Sequence, residues 1–307
     1  MNPFLDWCFK YLFGTEENKP NLIGFLNLML MPQSPIVDVE FMNNESLPSS
    51  PDIKECVFDI VCKDQNGDRY LIEVQNGKMI EIKDRIIYYT CRLMDRMGKR
   101  GSGWNYSDIK RVYTICLMNF TFESNPKLRR DIQLYDIDDN TLFSDKINII
   151  MLQLPCLKAE SLGECKANYE LLLYLLKERQ AGMKTIDELK QEIANTTLPQ
   201  KTKEVFYRVL DTADVGSLSE KDQMRYESAL KNYLDTMSCI EYATVKVREE
   251  GKAEGKAEGK AEGLAEGKAE GESMAKASIA KSMKAEGMDV ALISRYTGLP
   301  VEQIEAL

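Results

Sequence analysis

Apolar strand-like runs mixed with helical periodicity up to about residue 155, and helical periodicity alone after it, predict an α/β core followed by an all-helical C-terminal half. Three observations carry this expectation. Two apolar runs, Cys56–Cys62 and Tyr70–Gln75, flank Asp64-Gln65-Asn66-Gly67-Asp68, whose Asn-Gly step supplies a cheap positive φ for a hairpin turn. Arg111–Phe120, Asp131–Asp138 and Ile147–Leu154 read as three further strands. Beyond Pro155 no strand patterning recurs.

The elements follow in order. Residues 4–13 and 18–31 read as helices: Phe9, Leu12 and Phe13 recur at helical spacing, Gly14 is a stop, and Pro32–Pro35 ends the second. Ile36–Phe41 is a short strand, and Glu45–Asp52, with Pro48 and Pro51 among serines, is a loop. The hairpin places Asp59 inside its first strand. Ile80–Arg100 is a long helix with a basic face. Helices over Glu160–Arg179, Thr185–Ala194, Pro199–Leu210 and Ser219–Val247 either pack on the core or form a domain of their own.

The C-terminal end has two further parts. Glycine falls at 251, 255, 259, 263, 267 and 271 in a Gly-Lys-Ala-Glu repeat. Each interior glycine costs a helix ~1 kcal/mol relative to alanine, and the period of four sets like charges at i, i+4. The expectation is a solvated spacer, frayed if helical and then roughly 30 Å long; a helix that self-associates through its Gly/Ala face is the alternative. The pattern Ala275–Ala285, Gly287, Val290–Tyr296, Gly298-Leu299-Pro300, Val301–Leu307 reads as helix, turn, helix, turn, short helix. It resembles a minimal helix-turn-helix, but Glu302 and Glu305 on its third helix would repel phosphates, so a plain helical or oligomerising tail is the other reading. The boundaries expected are 1–155, 156–250, 251–272 and 273–307.

Composition narrows the chemistry. The chain has 307 residues, 44% hydrophobic and 29% charged, a soluble globular balance. No apolar run reaches the roughly 18–20 residues that span a bilayer, and acidic Asp6 without a basic flank does not make a signal peptide. A cytoplasmic protein with no membrane partner is expected. The eight cysteines form no Cys-x-x-Cys pair and read as small buried hydrophobes in a reducing compartment. Histidine is absent, which excludes His-containing zinc sites and Ser-His-Asp or Cys-His catalysis. Any metal must be held by oxygen, favouring magnesium, manganese or calcium. The net charge of −9 argues against wholesale nucleic-acid binding. Residues 78–130, however, carry twelve basic against five acidic side chains, a local +7. That excess is a solvated face or a phosphate-binding one.

Asp59 lies between Phe58 and Ile60, and Glu73 between Ile72 and Val74. A carboxylate in an apolar strand is costly to desolvate. Glu73 and Gln75, two apart, share one face, and a turn at Asn66-Gly67 brings Asp59 beside Glu73. Two carboxylates held together repel unless a cation joins them. This points to an oxygen-ligated metal with the Val74 carbonyl as a third donor. The bland alternative is that both carboxylates sit at strand edges facing water or arginines.

With these residues in hand, the sequence resembles the PD-(D/E)XK nuclease family transposases, also called the recombination-promoting nuclease family. The shared features are Asp6-Trp7-Cys8-Phe9-Lys10-Tyr11-Leu12-Phe13-Gly14, Asn21-Leu22-Ile23-Gly24-Phe25-Leu26-Asn27, and the core Asp59, Asp64, Gly67, Ile72, Glu73 and Gln75. Arg85 with Tyr88-Tyr89, the glycine repeat and the Gly-Leu-Pro-Val-Glu-Gln-Ile tail are similar too. The resemblance implies a restriction-endonuclease-like core with a mixed central sheet flanked by helices. It also implies a DNA endonuclease working through metal-activated water and promoting recombination, nucleoid-associated when on DNA. Asp59, Glu73 and Gln75 would be catalytic. Asp59, Glu73 and the Val74 carbonyl would hold Mg²⁺, with Mn²⁺ as a substitute. Gln75 stands where the wider superfamily has lysine, so it positions water without taking its proton. Asp6 and Lys10, one helical turn apart, would be outer groups of the site. Lys83, Arg85, Arg92 and Arg96 would meet DNA phosphates, Arg85 nearest the scissile bond. No triad of spaced carboxylates of the DDE type is evident, so the word transposase is not taken literally. The partner expected is DNA, with a homodimer for double-strand cleavage and no organic cofactor. A nuclease fold that binds DNA and oligomerises without turnover is the alternative.

Overall fold

A computed structural model describes residues 1–42, 45–46, 56–57, 59–98, 105–122 and 124–307. Two helices open the chain, α1 (Asp6–Phe13) and α2 (Lys19–Leu30). Strands β1 (Val39–Phe41), β2 (Glu45–Ser46), β3 (Cys56–Val57), β4 (Ile60–Asp64) and β5 (Arg69–Gln75) follow, then α3 (Ile82–Asp95). Strands β6 (Val112–Met118), β7 (Arg129–Tyr135) and β8 (Leu142–Gln153) complete the sheet. Among the described residues it has six strands in the order β1-β4-β5-β6-β8-β7, with β5, β6 and β8 parallel to one another and the other pairs antiparallel. The remaining helices are α4 (Asn168–Ala181), α5 (Ile186–Ala194), α6 (Gln200–Thr212), α7 (Glu220–Ala285), α8 (Val290–Thr297) and α9 (Val301–Glu305).

Period-two alternation gives the sheet two faces with different covers. Cys62, Tyr70, Ile72, Ile115, Leu117, Ile150 and Leu152 look into the larger core, which α1, α2, α4, α5 and α6 complete with Phe9, Phe13, Phe25, Leu172, Ile193 and Phe206. Leu71, Cys116, Met118 and Met151 look the other way, onto Ile82, Ile86 and Leu93 of α3. A 2.7 Å hydrogen bond between the hydroxyls of Thr90 and Thr114 seats α3 on β6. The first compact unit runs from Met1 to Tyr233, so α4–α6 share one core with residues before 155.

The asparagines of the second motif are structural. Buried Asn21 donates to the Leu12 carbonyl at 3.2 Å and to Thr212 Oγ1 at 3.0 Å, joining α1, α2 and α6. Asn27 brackets Ile36, donating to its carbonyl at 2.8 Å and accepting from its N–H at 2.9 Å. Gly24 lets α2 meet α6: a Cβ there would lie 2.5 Å from Val205 Cγ1. Valine is stiff at χ1 and cannot swing away. Gly24→Ala is therefore expected to cost about 1–3 kcal/mol, read as a lower urea midpoint with an unchanged m-value.

Four expectations are corrected here. Asp59 is not inside a strand: it occupies a bend immediately before β4. The cause is that Cys56–Val57 pairs with Glu45–Ser46 in a separate two-stranded sheet, so the chain joins the main sheet only at Ile60. The same pairing makes Glu45–Ser46 strand where a loop was expected; residues 47–55 lie outside the described residues. Helix α3 ends at Asp95, and Lys99 and Arg100 also lie outside the described residues. Cys8, Cys62, Cys91, Cys116, Cys156, Cys165 and Cys239 are free thiols; Cys8, Cys62 and Cys116 are buried, but Cys91 and Cys239 are exposed on helices.

The second compact unit spans Leu234–Leu307. The glycine repeat lies within the continuous helix α7, where a frayed spacer was expected, and every repeat residue is exposed. Lysine, alanine and glutamate are good helix formers, and helical segments on both sides remove the cost of nucleation. Replacing the six glycines at 251, 255, 259, 263, 267 and 271 by alanine is expected to raise the helical circular-dichroism signal at high temperature by strengthening this stretch. A signal unchanged from the parent would contradict a helix limited by its glycines. The tail closes a small core of Ala280, Ile293, Leu299 and Ile304. Gly287 and Gly298 turn the chain at φ +80° and +71°, and Asp289 caps α8 by accepting from the Ala291 N–H at 3.0 Å. Helix α9 has only five residues, and Lys284 caps it by donating to the Ile304 and Glu305 carbonyls.

Candidate functional site

The β4–β5 hairpin sets the geometry. Gly67 adopts φ +84° in the turn, and the register pairs Ile60 with Ile72. Continued by one residue, that register puts Asp59 opposite Glu73. Asp59 Oδ2 accepts a 2.7 Å hydrogen bond from the Val74 N–H. In an extended strand the N–H and C=O of one residue point to the same edge. The Val74 carbonyl is thereby directed to the side of β5 on which Asp59 lies, beyond the start of β4. Gln75 turns its main chain the other way, its carbonyl accepting from the Asn119 N–H at 2.9 Å.

Glu73 shares the α3-facing side of β5 with Leu71 and Gln75, and its residue is only 2% exposed. Its Oε2 receives Gln75 Nε2 and Arg85 Nη2, each at 3.4 Å. Its Oε1 is buried and has no hydrogen-bond partner among the described residues. Burial, reinforced by the Asp59 charge, raises the Glu73 carboxyl above its ordinary range, and Arg85 only partly opposes this. Asp59 is raised as well, first by burial, with the Val74 N–H working against it and the nearby Asp6 adding to it. Cys116, opposite Glu73 on β6, is pushed far up by burial and then by these two acids.

Helix α1 brings Lys10 to the same place. Its Nζ lies 2.7 Å from Asp6 Oδ1 and 3.8 Å from Asp59 Oδ1. Burial disfavours the Lys10 charge, yet the Asp6 hydrogen bond and the three surrounding carboxylates outweigh it, and its pKa rises. The residues expected to meet phosphate do not form one continuous face. Arg85 turns inward to Glu73 and lies over the Tyr89 ring at 4.9 Å. Arg92 pairs with Asp95 at 3.5 Å, and the Arg96 carbonyl receives Arg69 at 3.2 Å. Lys83, over the Phe122 ring at 5.3 Å, is roughly 200° around the helix from Arg85. Sequence reasoning missed Asn76, which reaches the Phe4 carbonyl and accepts from Asn119 at 3.5 Å. It carries no motif signal, since only the parallel β5–β6 pairing brings those loops together.

The donor set suits a hard divalent cation in kind: an unpaired buried carboxylate oxygen, a second carboxylate across the hairpin and a main-chain carbonyl directed to the same edge. Among the described residues no group of three or more His, Cys, Asp or Glu side chains is arranged to hold a metal, so water would complete the shell.

A mixed sheet flanked by helices, with two acids at the head of its central hairpin, is the frame of a PD-(D/E)XK-type core. The model of the PD-(D/E)XK nuclease family transposases matches residues 3–243, and the chain belongs to that family. No curated protein and no solved structure matches it. Among the described residues no helix is long and apolar enough to cross a membrane.

Proposed function

We propose that this chain is a metal-dependent DNA endonuclease that hydrolyses phosphodiester bonds and thereby promotes recombination. The observation that carries the reading is Glu73 Oε1, buried and unpaired beside Asp59. A buried carboxylate met only on one oxygen, by an amide and an arginine each at 3.4 Å, keeps much of its desolvation cost or stays protonated; such a cost is retained where a cation offsets it. Asp59, Glu73 and the Val74 carbonyl are the residues that would hold Mg²⁺, or Mn²⁺ in its place. When bound, the ion supplies Lewis acidity that lowers the pKa of water and offsets phosphate charge.

The protein groups have separable tasks. Gln75 orients water and, being an amide, takes no proton from it. Lys10, held by Asp6, keeps Asp59 in place through its charge. Arg85 partly balances Glu73 in the absence of substrate and becomes available for a phosphate once a cation takes over that task. Arg92 and Arg96, seven and eleven residues on and so on the same side of α3 as Arg85, extend the phosphate contacts, whereas Lys83 faces away from them over the Phe122 ring. Acting on both strands would call for two copies.

The second reading is a nuclease-fold protein of weak or no turnover that binds DNA and oligomerises. Glutamine at 75 and the arginine already on Glu73 favour it. A plasmid-nicking assay separates the two. Supercoiled DNA converted to nicked or linear form with Mg²⁺ or Mn²⁺, and not with chelator, supports the endonuclease. Intact DNA with either metal and with every DNA form rejects it in favour of the second reading.

A further inference from the structure

We infer that the free edge of β7 is a self-association surface, which pairs antiparallel with β7 of a second copy of this chain and makes one continuous sheet through the two. The inference does not depend on the nuclease reading. Strand β7 ends the sheet order, so among the described residues one of its edges has no partner strand. The direction of its main chain is fixed at both ends: the Leu128 carbonyl accepts from the Gln153 N–H, and the Asp136 N–H donates to the Thr141 carbonyl. The β7–β8 register shifts between Ile132 and Leu134 and again between Leu134 and Tyr135, each time with the additional residues on β8, so β7 keeps its alternation: even-numbered residues address β8, and Asp131, Gln133 and Tyr135 turn their N–H and C=O outward.

The side chains favour a copy of the same strand. The β7–β8 ribbon runs past β6, whose pairing with β8 begins at Ile147, and carries exposed Ile132, Leu134, Tyr135, Ile137, Leu142 and Phe143. An apolar, unpaired edge of this kind is a template for another strand. A two-fold axis through Gln133 sets Ile132 against Leu134 of the copy twice, and Arg130, whose Nη2 also donates to the Asn125 carbonyl at 2.7 Å, against Asp136 of the copy twice. An apolar centre is then closed by opposite charges at both ends, as a self-complementary interface requires. DNA suits the ribbon poorly, because Asp136, Asp138 and Asp139 crowd its tip.

Sedimentation velocity of the full chain over a concentration series tests this. The expected result is a reversible dimer. Gln133→Pro removes an outward N–H and no β8 ladder bond, the side-chain bond from Gln133 Nε2 to Asn148 Oδ1 being the one contact with β8 that it takes away, and should raise the dimer dissociation constant on the order of tenfold or more. Arg130→Glu and Asp136→Lys should each do the same, and the double variant should restore association, a rescue that misfolding cannot give. A parent chain that stays monomeric would overturn the inference. So would a dimer indifferent to these substitutions, or single-variant losses that the double variant does not repair.

Discussion

Asp59→Ala and Glu73→Ala are each expected to lower metal-dependent plasmid cleavage by at least roughly 10²–10³-fold, the scale on which removal of one preorganised electrostatic group acts. Both side chains are needed because Val74 contributes only its main chain, and the pair meets across one hairpin. The two losses should be far from additive, since either substitution dismantles the same constellation. Gln75→Ala should cost less, because an amide that orients water is replaceable by water itself. Cleavage that survives both alanine substitutions would remove these two acids from the chemistry.

Glu73→Gln should do the opposite to stability. In the metal-free protein the Glu73 carboxyl has a raised pKa, with burial as the first cause and Asp59 as the second. The folded state therefore holds a proton that the unfolded chain gives up in the ordinary carboxylate range. Stability from this group is fully present below that range and is lost as pH rises toward the raised folded value. Asp59 slopes the same way. Glutamine cannot ionise and is nearly the same shape, so it removes the Glu73 part of this loss. The expected gain is on the order of 1–3 kcal/mol at mildly alkaline pH without metal, and almost nothing at acidic pH. Thermal melts of parent and variant across pH, in chelator, check the sign. A variant less stable than the parent at alkaline pH would mean that Arg85 already satisfies the carboxylate. Saturating Mg²⁺ should then stabilise the parent and not the variant.

The hairpin was the most legible part of the sequence, because Asn66-Gly67 fixes a turn locally and a turn fixes which residues meet across it. That sufficed to bring Asp59 to Glu73. What local reasoning missed depends on distant partners. The pairing of Glu45–Ser46 with Cys56–Val57, which puts Asp59 on a bend, leaves no trace in either segment. Arg85 reads as a solvated phosphate ligand in sequence, and only the seating of α3 on β6 through Thr90 and Thr114 shows that it reaches Glu73. Likewise Asn21 and Asn27 stand out as motif residues, but their work of tying α2 to α1, α6 and Ile36 is visible only in three dimensions. The glycine repeat failed in the other direction: per-residue penalties were weighed without the helices that flank it.

The central claim is that Asp59 and Glu73 form one divalent-cation site. Calorimetric titration of Mn²⁺ into metal-free protein tests it without any substrate. One saturable site in the parent, absent from the Asp59→Asn, Glu73→Gln double variant while its fold is intact by circular dichroism, is the predicted result. Equal affinity and stoichiometry in parent and double variant would contradict the claim.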